Sequence, residues 1–262
     1  MKKTLIFVVL LLLSFAGAGF SQTIADDVAH KASYMSYYQG KDGRSSVKMV
    51  VKDARGRTRE REMTILRYNI EDNGDQKYYV YFHKPNDVKG MSYIVWKHAG
   101  KDDDRWLYLP ALDLVRRVAA SDKRSSFAGT NFLYEDISGR GVLLDKHELL
   151  SSDENYYELK NTPEDVSQVE FSYYKVWVDT KNFIPVRAEY YDKEGRLYRK
   201  IEVLAVEDVN GYPTITRMKA EDLNSGASTV AEFSDSSYDL GLKEDIFTER
   251  YLRNPAVQWI KG

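Results

Sequence analysis

The chain has no cysteine, only four histidines and six prolines in 262 residues. The missing thiol excludes disulfides, thiolate metal ligands, a cysteine nucleophile and an N-terminal lipid-modified cysteine. Neither sign of charge dominates: 38 Lys and Arg stand against 40 Asp and Glu, a formal charge of −2. Nothing in that balance points to nucleic acid as a partner. Past the first residues there is no apolar run near the ~20 residues that a spanning helix needs. What is abundant is aromatic: 13% of residues, 20 of them tyrosine, a composition suited to strands or a binding surface.

Catalytic motifs are also lacking. His147-Glu148 is followed by no second histidine, so it is not a zinc-protease pattern. His30, His83 and His98 are scattered and read as ordinary satisfied side chains. There is no Gly-x-Ser-x-Gly elbow, and Gly139-Arg140-Gly141 does not extend to a dinucleotide fingerprint. Asp102-Asp103-Asp104 lacks the ligand spacing of a calcium loop and reads as a solvated hairpin tip. With no nucleophile–base arrangement, the chain is read as a non-enzyme without cofactor or metal.

The N-terminus reads as a leader. Met1-Lys2-Lys3 is basic, Leu5 to Leu13 is unbroken apolar, and Ala16-Gly17-Ala18 suits cleavage. Residues 1–21 are therefore expected to be a secretory signal peptide cut between 18 and 21. The remainder, 22–262, is expected to be one exported domain. Loss of Lys2 and Lys3 takes the formal charge from −2 to about −4. With no cysteine to lipidate, the periplasm is the expected location.

The spacing then predicts one helix opening at Thr23-Ile24-Ala25-Asp26-Asp27 and stopped by Gly40. From there the period becomes two. Alternating segments at 46–51, 62–69, 78–83, 92–98, 105–109 and 114–118 are separated by turn residues such as Asn73-Gly74 and Pro85-Asn86. Ser121 to Gly141 breaks the rhythm, with a short helix expected within 130–137. A second meander covers 156–160, 169–178, 185–192, 197–209, 213–222 and 228–234. About eleven antiparallel strands, an N-terminal helix and a central irregular insertion result.

One strand face is apolar: Val47, Met49, Val51, Met63, Ile65, Val80, Phe82, Ile94, Trp96, Leu107, Leu109, Ile201 and Val203 are assigned to it. Lys48, Glu62, Lys97, Lys200 and Glu202 are assigned to the opposite face. A large one-faced sheet with so little helix either curls over a closed core or leaves a cavity. Pattern alone leaves both open.

Two stretches carry a family resemblance. Asp104-Arg105-Trp106-Leu107-Tyr108-Leu109-Pro110-Ala111-Leu112, followed by Val115-Arg116-Arg117-Val118, is one. Phe127-Ala128-Gly129-Thr130-Asn131-Phe132-Leu133-Tyr134-Glu135-Asp136 is the other. Together they resemble the LolA-like outer membrane lipoprotein-sorting family, in its exporter-associated branch. Thr130-Asn131 stands where that pattern has Ser-Asp, and Met91-Ser92 where Gly-Thr or a similar pair is usual. The resemblance implies an unclosed antiparallel barrel whose helices cover an apolar cavity. It implies a monomeric periplasmic carrier of lipid or lipoprotein acyl chains, in peripheral contact with membranes and served by an inner-membrane exporter of the resistance-nodulation type. An accessory exporter subunit that carries nothing, and an enzyme acting on envelope lipid or glycan, are the other readings.

Met49, Ile65, Phe82, Ile94 and Trp96, or their opposite-face neighbours, together with Trp106 and Tyr108, are the candidate cavity residues; the sequence does not say which strand face turns inward. Arg116 and Arg117 before the insertion, and Glu135 and Asp136 after it, are expected to pair as a latch.

Overall fold

The computed structural model describes residues 23–261; the expected leader lies outside them. Residues 23–37 form helix α1. Six strands follow: β1 (Asp42–Lys52), β2 (Thr58–Asn69), β3 (Gln76–Lys84), β4 (Ser92–Lys97), β5 (Asp104–Leu109) and β6 (Leu114–Arg117). The irregular segment holds α2 (Tyr134–Ser138). Seven more strands are β7 (Asp145–Ser152), β8 (Tyr156–Pro163), β9 (Phe171–Asp179), β10 (Pro185–Asp192), β11 (Leu197–Val209), β12 (Tyr212–Asp222) and β13 (Ala227–Tyr238). Two short helices close the chain, α3 (Glu249–Arg253) and α4 (Val257–Ile260).

All thirteen strands belong to one antiparallel sheet in the order β6-β5-β4-β3-β2-β1-β13-β12-β11-β10-β9-β8-β7. It is mainly β and unclosed, as expected, with thirteen strands among the described residues rather than about eleven: each of the twelve alternating segments forms one, and one more lacks the signal. The strand without an alternation signal is β7. It pairs only with β8, at the sheet edge, and buries only Asp145 and His147, so it needs no apolar stripe. Tight turns set the hairpins: Asn210 and Gly211 both have positive φ, 54° and 88°, the geometry a two-residue hairpin turn demands.

The order of strands explains the insertion. The chain leaves the sheet at β6, one edge, and rejoins it at β7, the other. Residues 118–144 must therefore cross the gap between the edges. Phe127 fixes them there: fully buried, its ring lies 5.6 Å from Phe82, 5.5 Å from Tyr93 and 5.4 Å from Tyr134. Each such pair adds ~0.5–1.5 kcal/mol beyond the area buried.

The β2–β5 half is covered on both faces. Its inner face packs Met63, Val80, Phe82, Tyr93, Val95 and Leu107 against the insertion. Its outer face packs Leu66, Tyr79 and Ile94 beneath Leu242, Ile246, Phe247, Leu252 and Ile260 of the C-terminal segment. Side chains on the sheet hold that segment by its carbonyls: Trp96 Nε1 to Phe247 O at 2.6 Å, Ser92 Oγ to Leu252 O at 2.6 Å and Tyr79 Oη to Tyr251 O at 3.0 Å. The other half presents ion pairs outward, among them Lys175–Glu158 and Lys200–Glu202.

Candidate functional site

Between the sheet, α1 and the 118–144 crossing lies a cavity of about 360 Å³, inside the ~300–1,000 Å³ range of small-molecule sites. Met49, Ile65, Val176, Ile201, Val203 and Met218 form much of its wall. Helix α1 contributes Ala29, Ala32, Ser33, Met35, Ser36 and Tyr37 to the lining, four of them small side chains. The same helix seats Ala25, Val28, Ala29 and Ala32 on Leu159 and Val178.

The last turn of α1 is pinned. Gln76 Nε2 donates to Tyr37 O at 2.7 Å, Asn69 Nδ2 to Tyr38 O and Gly40 O at 2.8 Å, and Arg67 to Gln39 O. These donors from β2 and β3 satisfy carbonyls that a helix end leaves unpaired. The Tyr37 ring lies against Gly139, where an added Cβ would sit 2.6 Å from it and φ is +75°. Glycine is required there for both reasons.

Beside the apolar wall is a buried ionic cluster. Glu135, 3% exposed, accepts from Arg124 Nη1 at 2.8 Å and Arg140 Nη1 at 3.3 Å. Arg124 also pairs with Glu170 at 2.8 Å, and Arg140 with Asp145 at 2.8 Å. Tyr174 Oη donates to Asp145 at 2.8 Å. Asp136 accepts from Leu133 N at 2.7 Å, covering the start of α2, and pairs with Arg199. Burial pushes the Glu135 carboxyl up, but the adjacent Arg124 and Arg140 outweigh it and hold it below the ordinary range. Lys97 is buried on the inner face, not turned outward as its alternation suggested. Its Nζ donates to Ser138 O at 2.8 Å and Gly139 O at 2.6 Å. Burial pushes it down to about 8, against the opposing pull of Asp103 and Glu135. His147 is also buried, bonded to Asn161 Oδ1 at 2.6 Å and Val142 O at 3.1 Å. No group of three or more metal-binding side chains occurs among the described residues.

The structure separates the sequence-derived candidates. Met49 and Ile65 line the cavity. Phe82 shares their face but is enclosed by Phe127 and its neighbours. Ile94, Trp96, Trp106 and Tyr108 lie on the outer face under the C-terminal segment, which corrects their assignment to the cavity. The reason is register: Val80 pairs with Tyr93 and Tyr79 with Ile94, so Ile94 faces away from Val80. The latch is corrected too. Glu135 and Asp136 take Arg124, Arg140 and Arg199 as partners. Arg117 pairs with Asp104 across the β5–β6 hairpin, and Arg116 lies beside the Tyr134 phenol. The α1 residues and the β9–β12 wall were not among the candidates; the small-residue face Ala29, Ala32, Ser33, Ser36 was the available signal.

Comparison with known proteins agrees with this architecture. A family model of an uncharacterized protein matches residues 74–254. A DUF1329 family protein from Desulfovibrio piger is similar at TM-score 0.82 and 29% identity, covering 88% of this chain and 99% of its own. A domain from Vibrio parahaemolyticus, described as an outer membrane lipoprotein-sorting protein domain, is similar at TM-score 0.81 and 25% identity, over 88% and 99%. A LolA superfamily protein from Nitrosomonas europaea, 24% identical, shares the fold at TM-score 0.68 over 87% and 98%. No curated protein matches the chain significantly. The thirteen-stranded unclosed sheet, the crossing that bridges its edges and these relatives together place the chain in a LolA-like family.

Proposed function

We propose that this protein is a periplasmic carrier that takes up the acyl chain of a lipid or lipoprotein and moves it across the aqueous space between membranes. The cavity of about 360 Å³ under α1 carries this reading. Its wall is suited to hydrocarbon. Burying a methylene is worth ~0.8 kcal/mol, so ten give ~8 kcal/mol, on the order of micromolar affinity before ordering costs. That is tight enough to hold a chain and weak enough to release it. The charges at the wall are engaged, Glu135 with Arg124 and Arg140, Asp136 with Arg199, Arg187 with Glu189, and Arg44 and Arg67 with backbone carbonyls. They shape the site and do not present a reacting group, so the proposed mechanism is carriage without catalysis. An inner-membrane exporter of the resistance-nodulation type is the proposed donor, on the strength of the family resemblance.

Native mass spectrometry of protein purified from its own envelope tests this: a co-purifying lipid is expected. In solution, a lipophilic fluorescent probe should bind about one per chain and be displaced by phospholipid. Val203→Trp, which puts an indole on the cavity wall, should weaken the probe at least about ten-fold with folding intact. Absence of saturable binding, with no lipid recovered, would sink the carrier and favour the accessory-subunit reading.

A further inference from the structure

The Arg116-Arg117 motif is not a latch, and its surroundings give it another use. The turns at 53–57, 85–91 and 110–113 share one end of the sheet, since their strands are antiparallel neighbours. Leu112 projects from the third and is 69% exposed; Leu114 is 44% exposed. The turn is fixed, not loose. Tyr108 Oη donates to Asp113 at 3.2 Å, Arg253 Nε donates to Asp113 at 3.0 Å, and Pro110 packs beside Gly90. Leu112 is therefore held outward.

The charge at this end of the sheet is one-sided. Asp53, Asp87 and Asp113, the carboxylates of the three turns, are paired with Arg57, Arg61 and Arg253. Lys52, Arg55, Lys89 and Arg116 are exposed. No ion pair to a carboxylate engages them among the described residues. Two projecting leucines on a sheet end that also carries such cations match an anionic bilayer surface: apolar side chains enter the acyl boundary while cations meet phosphates. A protein interface would instead present a broad apolar core with a paired polar rim.

We propose that the Pro110–Leu114 turn is a docking tip that inserts Leu112 and Leu114 into an anionic membrane surface, with Lys89 and Arg116 as the cations of the neighbouring elements and Lys52 and Arg55 meeting the same surface farther along the sheet end. This extends the carrier reading but is tested apart from it. The mature chain should partition onto phosphatidylglycerol-containing vesicles and not onto pure phosphatidylcholine, and high salt should weaken it. Lys89→Gln and Arg116→Gln should each cost about five-fold. Leu112→Asp combined with Leu114→Asp should abolish partition while cavity-probe binding, measured on the same sample, is unchanged. Leu112→Trp should show a blue-shifted emission on anionic vesicles. Failure of the wild type to bind these vesicles, partition retained by the double leucine variant, or an unshifted Leu112→Trp emission overturns the proposal, the first pointing to a protein partner for this end. Loss of probe binding with vesicle binding intact would instead defeat the carrier reading alone.

Discussion

Replacing Glu135 by Gln is the sharpest probe of how the insertion is held. The carboxylate is 3% exposed and takes hydrogen bonds from two guanidinium groups, Arg124 at 2.8 Å and Arg140 at 3.3 Å. Removing one member of a buried ion pair costs ~3–5 kcal/mol, because a charge is left in a poorly solvating place. Here each arginine keeps a second carboxylate, Glu170 for Arg124 and Asp145 for Arg140. The loss should therefore lie at the lower end, about 3 kcal/mol. For a domain this size that is a fall in Tm of roughly 6–12 °C. Arg117→Ala removes a pair whose arginine is 69% exposed and should cost at most ~1 kcal/mol. Thermal unfolding by circular dichroism, with limited proteolysis of residues 118–144, measures both. The Arg117–Glu135 double mutant should lose the sum of the singles, whereas Arg124–Glu135 should lose less than the sum. A cost below ~1 kcal/mol for Glu135→Gln, or strong coupling between Arg117 and Glu135, would refute the assignment.

Trp96→Phe deletes the 2.6 Å bond to Phe247 O; it should cost ~1–3 kcal/mol and speed cleavage within 240–261, with probe binding unaffected. Lys97, pushed down to about 8 from 10.5, gives up its proton earlier in the folded than in the unfolded state. The unfolded chain then binds more protons between those values, so this group alone makes stability rise with pH from about 8 to 10.5. Denaturant unfolding should show that contribution in the wild type and lose it in Lys97→Met. N-terminal sequencing of protein from export-competent cells should begin between Gly19 and Gln22; an intact Met1 in periplasmic material would contradict the expected leader.

Much of the fold is written locally. Alternation and turn residues define most strands, because a half-buried antiparallel strand must repeat every second residue. Asn210-Gly211 and the short helix near 134–138 are likewise visible, since they depend on neighbours in the chain. Other features depend on what packs on each face. In β4 and β5 both sets of alternating residues are apolar: Tyr93, Val95 and Leu107 face the insertion, while Ile94, Trp96 and Trp106 face the C-terminal segment. When both faces are covered, alternation no longer identifies the inner one, and a one-residue register choice decides it. The edge strand β7 carries no stripe for the opposite reason, having little to bury. The partners of Glu135 were equally hidden. Four arginines lie within reach along the chain, Arg116, Arg117, Arg124 and Arg140, and only the folded crossing brings Arg124 and Arg140 to the carboxylate. The cavity itself is a tertiary property. It lies between the β8–β13 strands, the crossing and a helix that brings Ala29, Ala32, Ser33 and Ser36 as well as Met35 and Tyr37 to the space, a balance of volumes that no single strand encodes.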